Sequence, residues 1–227
     1  MNPQSWGGPA AAALAALALA TGCDRLVAPR QRPIYAAWEE GLTLGYEDPS
    51  LDSALRFQNR QQVRVKESKP VAGGWEVTRT YSSYTNQADL RFLLKDGGVL
   101  LRVAGGEGIP VLPEGFPDRV CRWQSRGAYS FVVGRAMVDL PGVRLPDERS
   151  AVGVWVETVP VDRPGQRIRT LFLPDVGEAE ALVWRGGRWV ANNVLVSRGF
   201  TDLPMPPTPP PPLIRSGAAG KPSRSQK

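Results

Sequence analysis

The sequence predicts a mainly β fold: a curved antiparallel sheet, an open barrel or a two-layer sandwich, with roughly eight to ten strands and little helix. Three observations predict it. Apolar residues recur with period 2 in short runs rich in Val, Thr, Tyr and Trp, which is the pattern of half-buried strands. Asp-Gly and Gly-Gly pairs fall between those runs and supply the positive φ that tight hairpin turns demand. No long amphipathic helical stretch separates the strands, which argues against a parallel α/β fold.

Taken in order, Ile34–Glu40 predicts one or two helical turns. Leu51, Ala54, Leu55 and Gln58 fit helical spacing behind Pro49-Ser50, although the same stretch could open a long strand ending near Glu67. Val63-Arg64-Val65-Lys66 alternates apolar and charged side chains, and Trp75, Val77 and Tyr81 share one parity that Arg79 interrupts. Lys95-Asp96-Gly97-Gly98 joins Leu90–Leu94 to Val99–Val103 as a hairpin. Leu112–Pro117 and Leu140-Pro141-Gly142-Val143 read as rigid turns. Val152, Val154 and Val156 alternate, and Ile168, Thr170 and Phe172 face opposite Arg169, Leu171 and Leu173. Val161–Gln166, containing Pro164-Gly165, closes a hairpin between these two runs, and Arg185-Gly186-Gly187-Arg188 closes another between Ala179–Trp184 and Trp189–Val196. Strands joined this tightly must be antiparallel.

The ends of the chain differ in composition from this body. Ala10 to Ala20 is an unbroken apolar run of eleven residues made only of Ala and Leu. That is too short for a membrane-spanning helix, which needs about 20 residues, and it has the length of a secretory h-region. Leu203–Leu213 holds seven prolines, four of them consecutive from Pro209 to Pro212, so this stretch is expected to be extended polyproline II with a disordered remainder. The expected organisation is a signal peptide over 1–22, a lipidated N-terminus and spacer over 23–33, an antiparallel β domain over 34–202, and a Pro-rich basic disordered tail over 203–227.

Charge and composition exclude several function classes. The formal charge is +6, but the tail carries Arg215, Lys221, Arg224 and Lys227 without an acid, and residues 1–22 carry no charge. Removing the four tail cations from 28 leaves 24 basic side chains in the body against 22 acidic ones. A nucleic-acid binder needs a concentrated basic face, so that class is rejected. The absence of histidine removes His-based zinc sites and Ser-His-Asp or Cys-His machinery, and neither cofactor nor metal is expected.

Candidate acids are Glu39, Glu40, Glu76, Glu157, Asp175, Glu178 and Glu180. A glycosidase would need two of them facing one cleft. Glu157 follows Trp155 on one strand parity, which would suit a sugar-stacking face as well as an ordinary solvent-facing strand. No motif fixes a catalytic role for any residue. Gly105-Gly106-Glu107-Gly108 lacks the Gly-Lys-Ser/Thr ending of a phosphate loop and reads as a flexible loop. Of seven tryptophans, Trp38, Trp75, Trp123, Trp155, Trp184 and Trp189 lie in the body. Core or cross-strand packing is the default for most of them, with Trp184 and Trp189 placed to pair across their hairpin.

Leu19-Ala20-Thr21-Gly22-Cys23, with small residues directly before a cysteine at the end of the apolar run, resembles the lipobox of bacterial lipoproteins. The resemblance implies that the leader is cut before Cys23 and that the Cys23 thiol carries diacylglycerol, with palmitate-type acyl chains giving stable membrane anchoring. The stretch Met1–Pro9 departs from the pattern in having no Lys or Arg, and Ala20 stands where a larger aliphatic residue is commoner. An ordinary cleaved leader and an apolar N-terminal helix are the alternatives. Cys121 is then left as a lone thiol, expected to be buried as a small apolar side chain.

The layout of lipobox, short spacer and successive hairpins is similar to that of small exported bacterial lipoproteins, some of which adopt the half barrel of lipoprotein carriers and receptors. It implies a location in the cell envelope, lipid-anchored to a bacterial membrane, and assigns no residue of the body. The function expected is a non-catalytic binding or scaffolding role. The candidate partners are the membrane through the anchor, an apolar ligand, an envelope protein or an anionic cell-wall polymer. The alternative is an envelope enzyme acting on a glycan through paired carboxylates. A carrier would show a concave apolar cavity, and a scaffold a filled core with an exposed apolar patch.

Overall fold

The computed structural model describes residues 32–104 and 108–201. The leader, Cys23, most of the spacer, the centre of the Gly105–Gly108 loop and the proline-rich tail lie outside the described residues. Every element belongs to the unit that begins at Ile34.

Twelve strands form one antiparallel meander. In chain order they are β1 (Thr43–Glu47), β2 (Gln61–Val71), β3 (Gly74–Ser82), β4 (Gln87–Lys95), β5 (Gly98–Arg102) and β6 (Ile109–Leu112). The second half comprises β7 (Arg122–Ser125), β8 (Ala128–Met137), β9 (Val152–Pro160), β10 (Ile168–Leu173), β11 (Gly177–Arg185) and β12 (Arg188–Gly199). Strand order across the sheet is β6-β5-β4-β3-β2-β1-β12-β11-β10-β9-β8-β7. The first and last strands therefore pair in the middle, Leu44 opposite Arg198, and the sheet curls until it nearly closes into a barrel. Its edges, β6 and β7, touch without sharing a ladder. The mainly β, antiparallel class is the one the sequence predicts, with two to four more strands than expected. The surplus comes from short or irregular strands, β1, β6 and β7, that carry little alternation.

The turns explain the register. Asp96 and Gly97 sit at φ 47° and 77°, and Gly186 and Gly187 at φ 56° and 77°, so each pair forms a two-residue loop whose twist matches its flanking strands. Arg126 and Gly127 build a comparable turn between β7 and β8 at φ 49° and 70°. Such hairpins force the connections to alternate between the two ends of the barrel.

The helical stretch foreseen near Leu51 is α1, Ser53–Gln58. The Asp52 side chain caps it, accepting from the amides of Ala54 and Leu55 at 3.1 and 3.0 Å. It buries no residue and does not continue into β2. No helix forms over Ile34–Glu40, contrary to expectation: the segment is bends and a turn. The Ile34 carbonyl accepts from Asp175 N at 2.6 Å, and the buried Ala36 and Ala37 lie against Gly177, where an added Cβ would stand 3.3 Å from Ala36 Cα. Tertiary docking overrides a weak helical preference here.

The core is the barrel interior. At the end where the chain enters, Tyr35, Trp123 and Phe172 set their rings edge-on around Phe116 at centroid distances of 5.0, 5.9 and 6.3 Å. Favourable edge-to-face geometry seals this end with aromatic packing. Leu112–Pro117 is the tight connection expected, and Phe116 is buried within it. Cys121 is exposed, contrary to expectation. It immediately precedes an edge strand, with only its carbonyl engaged by Val132 N at 2.9 Å.

Candidate functional site

Above the aromatic seal the interior is not filled. A cavity of about 250 Å³ remains, bounded by side chains from both halves of the meander, among them Leu44, Tyr46, Val63, Tyr81, Phe92, Leu101 and Phe172. Most of the wall is apolar, and two charged side chains border it, Arg79 and Glu178, beside the polar Gln61 and Asn193.

Arg79 is inside because of where it falls on β3. Val77, Arg79 and Tyr81 share the inward face, and Arg79 pairs with Val65 on β2 and Leu90 on β4. The arginine does not break the inward row; it is a member of it. Only 8% of it is exposed. Its guanidinium carbon lies 4.6 Å from the centroid of the Phe92 ring, a cation–π contact that compensates part of its desolvation. One face of the group is tied to Tyr81, whose hydroxyl hydrogen-bonds with it. Nε and Nη2 meet no hydrogen-bond partner among the described residues.

Glu178 arrives from the other side through a bulge. Between β10 and β11 the register slips, so that Leu171 faces Glu180 but Phe172 faces Glu178. The extra residue, Ala179, lets Glu178 follow Phe172 inward while Glu180 stays with Leu171 on the opposite face. The Glu178 side chain fronts the cavity space and keeps accessible surface there, with the barrel wall around it. Burial accordingly pushes its carboxyl above the usual range, and the charge of Arg79 partly opposes this. Tyr46 donates from Oη to the Glu178 carbonyl at 2.9 Å, and burial holds its hydroxyl protonated, well above the ordinary tyrosine range.

The other candidate acids go elsewhere. Glu157 is 1% exposed and clamped between two arginines: Arg167 Nε donates to Oε1 at 2.6 Å and Arg169 Nε to Oε2 at 2.8 Å. Arg169 in turn lies over Trp189, and Arg167 near both Trp184 and Trp189. Those two tryptophans pair across their hairpin at 5.1 Å, as the sequence predicts. Glu157 is thus a structural anion, and the sugar-stacking face suggested by Trp155 is not formed around it. Asp175 accepts from Trp38 Nε1 at 3.0 Å in the β10–β11 turn, and burial raises its pKa. No group of three or more acids or cysteines able to hold a metal occurs among the described residues.

A second hollow, about 490 Å³, lies along Trp123 and Tyr129. Its lining among the described residues comes from the β7–β8 hairpin alone, with no second wall of described residues facing it.

Arg79 is the residue that sequence reasoning missed. Its signal was present: a lone cation on the inward parity of a strand. The inward turn of Glu178 had none, because a bulge at Ala179 leaves no mark in an alternating pattern.

No family model matches the chain, and no curated protein is similar to it. Among solved structures, it is similar to an inferred lipoprotein from Parabacteroides distasonis, with 11% identity and a TM-score of 0.44. It is similar to the same degree to an inferred exported protein with a YmcC-like fold from Bacteroides fragilis, with 13% identity and a TM-score of 0.44. Each likeness spans 74% of this chain and 99% of the other. Neither bears on what this chain does.

Proposed function

We propose that the chain is an envelope lipoprotein, anchored to a bacterial membrane through acylated Cys23, whose β body is a non-catalytic binding protein. The observation that carries the binding role is the apolar-walled cavity of about 250 Å³ inside the barrel. A scaffold built only to present an outer surface would fill that space with side chains, because cavities in a core cost stability. A concave, mostly apolar wall with a few polar groups is the usual form of a small-molecule site. The anchor rests on Cys23 and the apolar run before it.

Two measurements test the proposal. In the native host, the intact mass of the membrane fraction should begin at Cys23 and include acyl chains, and Cys23→Ala should abolish both the modification and the membrane association. An unmodified, membrane-free wild type would remove the anchor. For the cavity, 1-octanol should bind the purified β body saturably, followed by calorimetry, and Leu101→Trp, which fills the void from β5, should block it. Absence of octanol binding to wild type would overturn the cavity's role.

A further inference from the structure

We infer that the cavity is built for a single-chain carboxylate, with the head group on Arg79 and the chain along the apolar wall. The inference rests on the proposed binding role of the same cavity.

Its basis is the unmatched half of Arg79. A guanidinium removed from water is costly unless its donors find acceptors. Here the Phe92 ring and the Tyr81 hydroxyl serve part of the group, while Nε and Nη2 are buried without a partner. Those two nitrogens lie on the same edge of the guanidinium. Their N–H bonds run parallel and form the fork that matches the two oxygens of a carboxylate. A protein that needed only a stable core would place Met or Leu at this inward position. An arginine kept there with its bidentate edge unpartnered calls for an acceptor from outside the chain, toward which the guanidinium must turn because neither nitrogen has accessible surface.

The surroundings narrow the acceptor. Glu178 is the acid across the cavity, close enough for its carboxyl to respond to Arg79, yet it leaves the fork unfilled. Tyr46 spends its hydroxyl on the Glu178 carbonyl. The rest of the wall is mostly apolar, with Val63, Phe92, Leu101 and Phe172 in it, and its other polar side chains, Gln61 and Asn193, are uncharged. At ~30 Å³ per water-sized unit, about 250 Å³ holds roughly eight such units, the size of a short acyl chain. A charged head on an apolar tail of that length satisfies both parts of the cavity.

Glu178 gives the inference a second handle. As an anion facing the same space, it opposes an incoming carboxylate, so neutralising it should strengthen binding. Calorimetric titration of the purified β body with octanoate, 1-octanol and octyl phosphate separates the possibilities. Octanoate should bind at least ~10-fold more tightly than octanol, the scale of a charge-assisted bidentate contact. It should also bind more tightly than octyl phosphate, whose head is bulkier and more highly charged. Arg79→Gln should erase the preference, bringing octanoate down to the affinity of octanol, with far-UV circular dichroism reporting that the variant is folded. Glu178→Gln should tighten octanoate severalfold, and by more than any change it makes in octanol.

Equal affinities for octanoate and octanol would overturn the inference and leave the binding role standing. Octyl phosphate binding more tightly than octanoate would overturn the carboxylate assignment. Failure of all three to bind would remove the binding role itself. Should Arg79→Gln fail to fold, an unchanged octanoate affinity in Glu178→Gln would still count against the inference.

Discussion

Single residues of this sheet hold charge that neighbouring side chains enclose, and Glu157, on the outer face of β9, is the clearest case. Its two carboxylate oxygens each take an arginine Nε, and the arginines lie over tryptophan rings that shield them. Removing the carboxylate would strand two cations against that aromatic surface. The arginines stay about one-third exposed and can turn to water, which moderates the loss below that of a fully buried pair. Glu157→Ala is therefore expected to cost about 2 kcal/mol, read as a lower urea midpoint at unchanged slope. Glu157→Gln, which keeps one acceptor, should lose less. An unchanged midpoint for Glu157→Ala would mean the clamp contributes nothing to folding.

Among elements, the sharpest constraint is where hairpins close against each other. Gly74 opens β3 opposite Lys95, and a Cβ there would stand 1.9 Å from the Leu94 carbonyl oxygen. Backbone cannot yield as a side-chain tip can, so Gly74→Ala should cost ~2 kcal/mol or more. Gly134, at the bulge between β8 and β9, has nothing within 4 Å of its Cβ position, and Gly134→Ala should lie within ~0.5 kcal/mol of wild type. Thermal melts of the two variants side by side check the contrast. Both glycines look alike in the sequence, and this marks how much of the fold was legible there. The three hairpins with Gly-containing turns and the pairing of Trp184 with Trp189 followed from local chemistry. The docked segment over Ile34–Glu40 and the exposure of Cys121 did not, because each depends on which distant strand arrives beside it. The same applies to the site. The inward parity of Arg79 could be read from β3, whereas Glu178 enters the cavity only because the register slips at Ala179.

For the whole molecule, the acids divide by location, and the division fixes how stability responds to pH. Asp175, Glu178 and Glu180 sit where burial raises their pKa values. Glu67, Asp89 and Asp147 lie at the surface, and hydrogen bonds from Lys69, Lys66 and Ser150 lower theirs. A raised acid binds its proton more tightly in the folded state, so it favours folding below its unfolded pKa and loses that contribution as pH climbs through the folded value. A lowered acid does the reverse, contributing above its unfolded pKa and losing it as pH falls through the folded value. The two sets oppose each other about the ordinary carboxylate range near pH 4. The surface set is well solvated and screened, so the enclosed set governs the neutral side. Stability should therefore be greatest in mild acid, just above pH 4, and decline toward neutrality. Asp175→Asn isolates one contributor. Asp175 holds φ 57°, a conformation asparagine tolerates well, and the amide oxygen can still accept from Trp38 Nε1. The variant removes the buried charge without removing the contact, so it should gain stability over wild type at pH 7 and lose that gain as pH falls toward 4. Urea unfolding of both proteins across that range measures the difference. A gain independent of pH would assign the effect to packing, and a loss at pH 7 would mean that the Trp38 contact requires the carboxylate.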